Sequence, residues 1–404
     1  MRARTPRNSL GSGSLPGEAR YEVFMTSVQG QCDSAFSGVR EVFEESFADG
    51  MNLGAAVAVF ADGRPVVDLW GGIADRRTAR EWAWDTPCVV FSCTKAVTAA
   101  AALLVAERGF VTVDAPVAQW WPEFAQRGKD GVTVEHLLTH RAGLPAFDDP
   151  VSVTQAADPA AMAERLARQA PEWEPGTDHG YHALTFGWLV GEVVRRHTGK
   201  TVGQFVHEEF GSDLWIGAPR GTIARAARIS VPRRGEPSSP LTDIATQTRI
   251  DAAYAEPGSP IFRATANPLA SYNDPAMLGG GWPAAGMVTT ARALARFYSD
   301  LGRGVTLSRA TVADAIGERV RGPDRVLLTD SAYGLGFMRP AQSFELPEAA
   351  RATAFGHPGA GGAVGLGDLD HGLAIAFVPN LKRDYFAGDR RAYRLIEAAY
   401  ASIA

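Results

Sequence analysis

Ser92-Cys93-Thr94-Lys95 opens the longest apolar run of the chain, Ala96 to Ala106, which only Thr98 interrupts. On a helix, position i+3 returns to nearly the same face one turn later, so this spacing predicts the Lys95 amine beside the Ser92 hydroxyl. A serine hydroxyl becomes a nucleophile when an adjacent base takes its proton, and a lysine can be that base once its own pKa is lowered. Burial and the positive end of a helix dipole both push lysine that way. Ser-x-x-Lys is a loose pattern, but this chain has only four lysines, Lys95, Lys129, Lys200 and Lys382. Cys93 is turned about 100° away from the face that Ser92 and Lys95 share, which predicts a small buried residue rather than the nucleophile.

Outward from this motif the chain alternates between strand and helix character. Upstream, Phe36, Val39, Phe43 and Phe47 recur at helical spacing after Asp33, a candidate cap. Ala55 to Phe60 then reads as a strand, Asp62-Gly63 as a hairpin turn and Val66 to Trp70 as its partner. Downstream, the helix from Ser92 ends at Gly109. Val134–Thr139, Pro159–Gln169 and Leu184–His197 read as further helices. Residues 218–275 are rich in Pro, Gly, Ser and Arg without a sustained period, which predicts a long loop excursion able to shape or cover a pocket. Strand character returns at Tyr333–Met338, Gly361–Asp368 and Leu373–Val378, and an amphipathic helix, Arg390 to Ser402, follows. Strands at both ends of the chain imply one antiparallel sheet flanked by helices, an α+β architecture with an α-rich insert. The expected division is residues 25–115 and 280–404 as the α/β part and 116–279 as a mostly helical part.

At 404 residues the chain has room for two subdomains sharing a core, and 46% hydrophobic with 21% charged residues describes an ordinary globular protein. The net charge of −5 gives no sign of nucleic acid or an anionic membrane as partner. The densest basic cluster, Arg220, Arg225, Arg228, Arg233 and Arg234, reads as a solvated surface loop. Three scattered cysteines, Cys32, Cys88 and Cys93, do not make a disulfide framework and fit a reducing, cytoplasmic compartment. No stretch reaches transmembrane length. Residues 1–24 read as a disordered extension or leader without the apolar core of a secretory signal, and Met25 is an alternative start.

Further chemistry is available elsewhere. Tyr181, in His179-Gly180-Tyr181-His182-Ala183, is a candidate general base if a nearby Lys95 ammonium lowers the pKa of its phenol. Gly356-His357-Pro358-Gly359-Ala360-Gly361-Gly362 lets backbone approach a ligand closely and offers N–H groups to an oxyanion. It fails the Gly-x-Gly-x-x-Gly spacing, so no dinucleotide cofactor is expected. His136 and His140 are spaced as in helical zinc sites, but the glutamate and third ligand are missing, and no metal is expected. His179 and His182 read as local hydrogen bonders.

In chain order these pieces resemble the serine β-lactamase and penicillin-binding-protein superfamily, most closely class C β-lactamases and family VIII carboxylesterases. The markers are Ala55–Phe60 with Asp62-Gly63, then Ser92-Cys93-Thr94-Lys95, then Val134 to His140 followed by Gly143-Leu144-Pro145. Tyr181, Gly286 to Ala291 and His357-Pro358-Gly359 complete the set, from about residue 30 to the C-terminus. The resemblance implies a β-lactamase-like fold, Ser92 as the acylated nucleophile, and proton handling shared by Lys95 and Tyr181. It also implies an oxyanion hole from the backbone N–H groups of Ser92 and Ala360, with no cofactor. Two motifs depart from the lactamases. Tyr181-His182-Ala183 lacks the amide of Tyr-x-Asn, and His357-Pro358-Gly359 replaces Lys-Thr-Gly. The lost lysine removes a fixed cation for a β-lactam or peptide carboxylate. A small neutral ester is therefore the expected substrate, contacted by His357 and Gly359 and by the aromatics Trp188 and Trp282. Acyl transfer to an amine or alcohol in natural-product biosynthesis is the alternative to hydrolysis. A β-lactamase, a D-Ala-D-Ala peptidase and a non-catalytic ligand-binding relative stand further off.

Overall fold

The computed structural model describes residues 27–211, 213–232, 241, 243–383 and 389–403. The extension 1–24, Arg233 and Arg234 lie outside the described residues.

The expected hairpin forms. Gly54–Ala61 and Arg64–Asp75 pair antiparallel across the Asp62-Gly63 turn, both of whose residues take positive φ. The strand Leu373–Pro379 lies on the other side of Gly54–Ala61, placing Phe377 opposite Val57 and Ile375 opposite Val59. The two ends of the chain thus meet in one antiparallel sheet. Its order is Gln29–Cys32, Arg64–Asp75, Gly54–Ala61, Leu373–Pro379, Val364–Asp368, Phe355–Pro358, with Arg80–Glu81 pairing on the long strand.

Alternation along the central strands divides the core in two. Val57, Val59, Ile375 and Phe377 face the helices Ser37–Ala48 and Arg390–Ala401. Ala58, Ala374 and Ala376 face the helix Ala291–Arg303 and the rest of the chain. That second face is built from small side chains, and a Cβ on Gly365 would come within 2.6 Å of Tyr298. The helix therefore rests almost on the sheet backbone. Thr94–Glu107 lies deeper still, with every residue from Thr94 to Val105 buried. Its alanines allow close approach, and Gly336 passes so near Ala99 that a Cβ there would clash at 2.2 Å. This helix packs against Thr185–Thr198, on which Val134–Leu138 and Pro159–Arg168 pack in turn, and it touches the sheet at Phe355–Pro358.

Several expectations need correction. Asp33 makes no side-chain cap, and a 3₁₀ turn, Ser34–Phe36, precedes the first helix. The segment 218–275 is not a loop, because Arg220–Arg225, Ile244–Ala255 and Pro260–Ala266 are helical. Asp243 and Ser259 cap two of these helices with their side chains, so local capping supplied what weak periodicity did not. Arg225 belongs to the first of them and pairs with Asp85. Tyr333–Met338 is not a continuous strand. Asp330–Tyr333 pairs with Val320–Pro323, and Met338 only bridges to Gly356 at the edge of the main sheet. Among the described residues, no helix is long and apolar enough to cross a membrane.

Candidate active site

Ser92 sits in the 3₁₀ turn Phe91–Cys93, so the α-helix proper starts at Thr94, slightly later than the spacing predicts. Phe91 has a φ of +48°, in the left-handed region. A phenylalanine there costs about 1–3 kcal/mol, held in place by its surroundings. Thr94 Oγ1 donates to Phe91 O and accepts from Met287 N, clamping the turn to the strand Met287–Thr289.

One helical turn on, the Lys95 Nζ reaches Ser92 Oγ at 3.2 Å and donates to the carbonyls of Ala183 at 2.7 Å and Ala284 at 3.1 Å. Burial holds this amine well below its ordinary pKa. A neutral amine has two N–H bonds and one lone pair. With both N–H bonds taken by carbonyls, the lone pair is left for the Ser92 proton. Cys93, by contrast, turns inward and donates to His357 O, and burial pushes its thiol up to about 12. It is no nucleophile.

The Tyr181 ring stacks beneath Lys95, with Nζ 4.7 Å from the ring centroid. Its phenol is not lowered by an ammonium, as the sequence suggested. Burial raises it, and a hydrogen bond with Ser92 counters this only in part. Burial thus favours the protonated form of the Tyr181 phenol and the neutral form of the Lys95 amine.

The glycine-rich strand edge closes the site. Its strand, Phe355–Pro358, runs into the turn Ala360–Gly362, where Gly361 and Gly362 have φ of +84° and +100°. Gly359 lies against the Ser92 turn so tightly that a Cβ would meet Val90 O at 2.3 Å. Arg391 fastens the turn from behind by donating to Gly361 O at 2.9 Å. His357 is buried, and its Nδ1–H donates to Pro358 O at 2.6 Å. Desolvation lowers its pKa to about 3. It is a neutral imidazole and does not replace the missing lysine as a cation.

Ser92, Tyr181, His357, Gly359 and Ala360 line one cavity of about 450 Å³. Its remaining wall is largely apolar and comes from the 218–275 excursion: Tyr254, Phe262, Leu269 and Tyr272, with Leu327 and Met338 beside them. Tyr272 packs edge-on against Phe91, ring centroids 4.9 Å apart. None of these wall residues was identified individually in the sequence. Trp188 and Trp282 are not at this cavity. They pack on each other at 6.2 Å inside the core, and Trp188 borders a separate cavity of about 400 Å³ with His207 and Trp215. Helical spacing had placed Trp188 on a face, but it could not say which cavity that face meets.

The histidines are occupied elsewhere. His136 Nδ1 accepts from Thr133 N, whereas His140, past the end of that helix, accepts from His182 N, so the two diverge. His182 bonds Gly180 O and Leu144 N, and His179 bonds Ser331. Among the described residues, no group of three or more His, Cys, Asp or Glu is placed to hold a metal.

Residues 39–400 match the Beta-lactamase family. The chain is 35% identical over 372 residues to the esterase/β-lactamase LipL of Mycobacterium tuberculosis, covering 87% of this chain and 83% of that protein. Its fold superposes on the crystal structure of a family VIII carboxylesterase with a TM-score of 0.82, at 33% identity, over 93% of this chain and all of the other. A penicillin-binding-protein homologue from Caulobacter crescentus superposes with a TM-score of 0.80, at 38% identity and 93% coverage of this chain and 100% of that one.

Proposed function

Because the chain belongs to the β-lactamase family, we propose that it is a serine acyl-transfer enzyme that hydrolyses neutral esters through an acyl-Ser92 intermediate. The observation that carries this is the Lys95 amine held between the Ser92 hydroxyl and two carbonyls. Lys95 takes the Oγ proton as Oγ bonds to the ester carbonyl carbon. The carbonyl oxygen, now negative, is received by the N–H groups of Ser92 and Ala360. Removing one such donor typically costs on the order of 10² to 10³ in rate. Collapse breaks the bond to the alcohol oxygen, which leaves with a proton from the Tyr181–Lys95 pair. Water then attacks the acyl-serine and gives its proton to the same pair, releasing the acid and restoring Ser92.

The walls support a neutral ester as the substrate class. His357 is neutral, and Lys382, which also borders the cavity, lies over the Tyr272 ring at 5.2 Å. Asp251 and Arg383 border the cavity as well, and most of the rest of the lining is apolar. An ester with an apolar acyl or aryl group fits that lining better than a β-lactam carboxylate does. The free thiols Cys32, Cys88 and Cys93 support a cytoplasmic location.

The test incubates the protein with p-nitrophenyl esters, a chromogenic cephalosporin, and an activated ester plus amines or alcohols, while the mass of Ser92 is followed. Acylation with hydrolysis is expected. Product formed only with an acceptor would make it a transferase, and fast cephalosporin turnover would sink the argument from the third motif. Full activity in Ser92→Ala would overturn the mechanism.

A further inference from the structure

Asp324 follows directly on the strand Val320–Pro323, and its carboxylate is buried. Oδ1 accepts three backbone N–H groups, from Tyr181 at 3.0 Å, Val326 at 2.8 Å and Leu327 at 2.9 Å. Oδ2 accepts the hydroxyls of Ser331 at 2.8 Å and Tyr333 at 3.4 Å. Five donors converge on a group whose two oxygens offer about four lone-pair directions. A buried carboxylate satisfied in this way is costly to misplace, so whatever it grips is held firmly.

What it grips is the catalytic tyrosine. Tyr181 lies outside any helix or strand, so regular backbone pairing does not fix where its phenol points. Its position comes from local ties: Gly180 N to His140 O, His182 N to His140 Nδ1, and Tyr181 N to Asp324. Asp324 is the acidic one, and the same oxygen also holds Leu327, a wall residue of the Ser92 cavity. The neighbouring Arg325 carries its charge outward to Asp178 and over Trp173.

Resting on the role proposed for Tyr181, we infer that Asp324 is a positioning residue: its carboxylate sets the backbone of Tyr181 and the Leu327 wall together, and so aims the phenol at Ser92. The groups facing Tyr181 are Ser92, Lys95, His140, His357, Tyr333 and Asp324. Among them, the negative charge of Asp324 also favours the protonated phenol.

The test is a double-mutant cycle with Tyr181→Phe in the full-length protein, using hydrolysis of a p-nitrophenyl ester. Asp324→Asn keeps the shape and an acceptor oxygen but removes the charge. It is expected to lower kcat about tenfold or more, with KM within about threefold, since an orientation effect falls on the chemical step. In a Tyr181→Phe background the same substitution should cost almost nothing further, because the two act as one unit. An equal loss in both backgrounds overturns the inference, as does an unchanged kcat. If Tyr181→Phe alone keeps full activity, the reading of Tyr181 fails and takes the inference with it. Should Asp324→Asn not fold, Ser331→Ala, which removes one Oδ2 donor and leaves Tyr181 intact, is judged in the same cycle. There, non-additivity supports the inference and additivity overturns it.

Discussion

Lys95 Nζ stands 3.2 Å from Ser92 Oγ while holding Ala183 O and Ala284 O, carbonyls drawn from segments a hundred residues apart. The Lys95 amine is therefore oriented by the fold and not merely by its place on the helix. Lys95→Ala should lower the rate of Ser92 acylation by a factor on the order of 10² to 10⁴, the usual range for a positioned base. The pH dependence has a definite sign. Only the neutral amine accepts the proton, so activity rises with pH through the depressed Lys95 pKa. Stopped-flow acylation across pH checks this, and a rate that falls as pH rises toward neutrality would rule Lys95 out.

The buried histidines carry a prediction about stability. His182 is lowered to about 4 and His357 to about 3, both chiefly by burial, and His140 is lowered well below its ordinary value. Above pH ~6.5 these rings are neutral in both folded and unfolded chains and cost nothing. Below it the unfolded chain takes up protons that the folded chain refuses, so stability falls as pH falls. The slope is about 1.4 kcal/mol per pH unit for each histidine in its window. For His182 the loss runs down to pH about 4, and for His357 to about 3. Denaturant melts at pH 7, 6, 5 and 4 should show a steepening loss that His182→Gln partly relieves after its own baseline is subtracted.

Gly359 tests the oxyanion side. A Cβ at this position meets Val90 O at 2.3 Å and Cys93 Sγ at 3.2 Å, so Gly359→Ala must separate the strand edge from the turn bearing Ser92. The N–H groups of Ser92 and Ala360 lie on either side of that seam. The expected result is a fall in kcat of about ten- to a hundredfold, as for an oxyanion donor moved out of place, with substrate affinity less affected. Comparing kcat with acylation rate would separate this from loss of folding, and unchanged kcat would remove Ala360 from the oxyanion hole.

What could be read in the sequence follows a physical line. Ser92 and Lys95 were legible because their relation is local, set by helical pitch and a lysine-poor composition. The terminal strands were legible because alternation survives in Val57, Val59, Ile375 and Phe377. Tyr181 needed the family resemblance, since nothing local tells a catalytic tyrosine from a packed one. Trp188 and Trp282 were misplaced because an aromatic residue signals burial without saying against which cavity. Asp324 gave no signal at all, because its partners lie 143 residues upstream and in a turn with no periodicity. The helices Ile244–Ala255 and Pro260–Ala266 were hidden by their polar surfaces, although Asp243 and Ser259-Pro260 were readable caps.

Tyr272 distinguishes two ways in which the pocket wall can matter. Its ring borders the cavity and also packs edge-on against Phe91, the strained residue before Ser92. If its main work is to cover the substrate, Tyr272→Ala should penalise long acyl chains more than short ones. Each CH₂ left uncovered forfeits at most about 0.8 kcal/mol, so a few of them amount to roughly tenfold or more in kcat/KM. If its main work is to support Phe91, the loss should be uniform, because an edge-on aromatic contact is worth about 0.5–1.5 kcal/mol whatever the substrate. Tyr272→Phe keeps both functions and should be nearly silent. We expect chain-length dependence, since Tyr272 borders the cavity and is 38% exposed while Phe91 is already enclosed. Measuring kcat/KM for acetyl, butyryl and octanoyl p-nitrophenyl esters decides it: parallel losses across the series would assign Tyr272 to the nucleophile turn instead of the substrate wall.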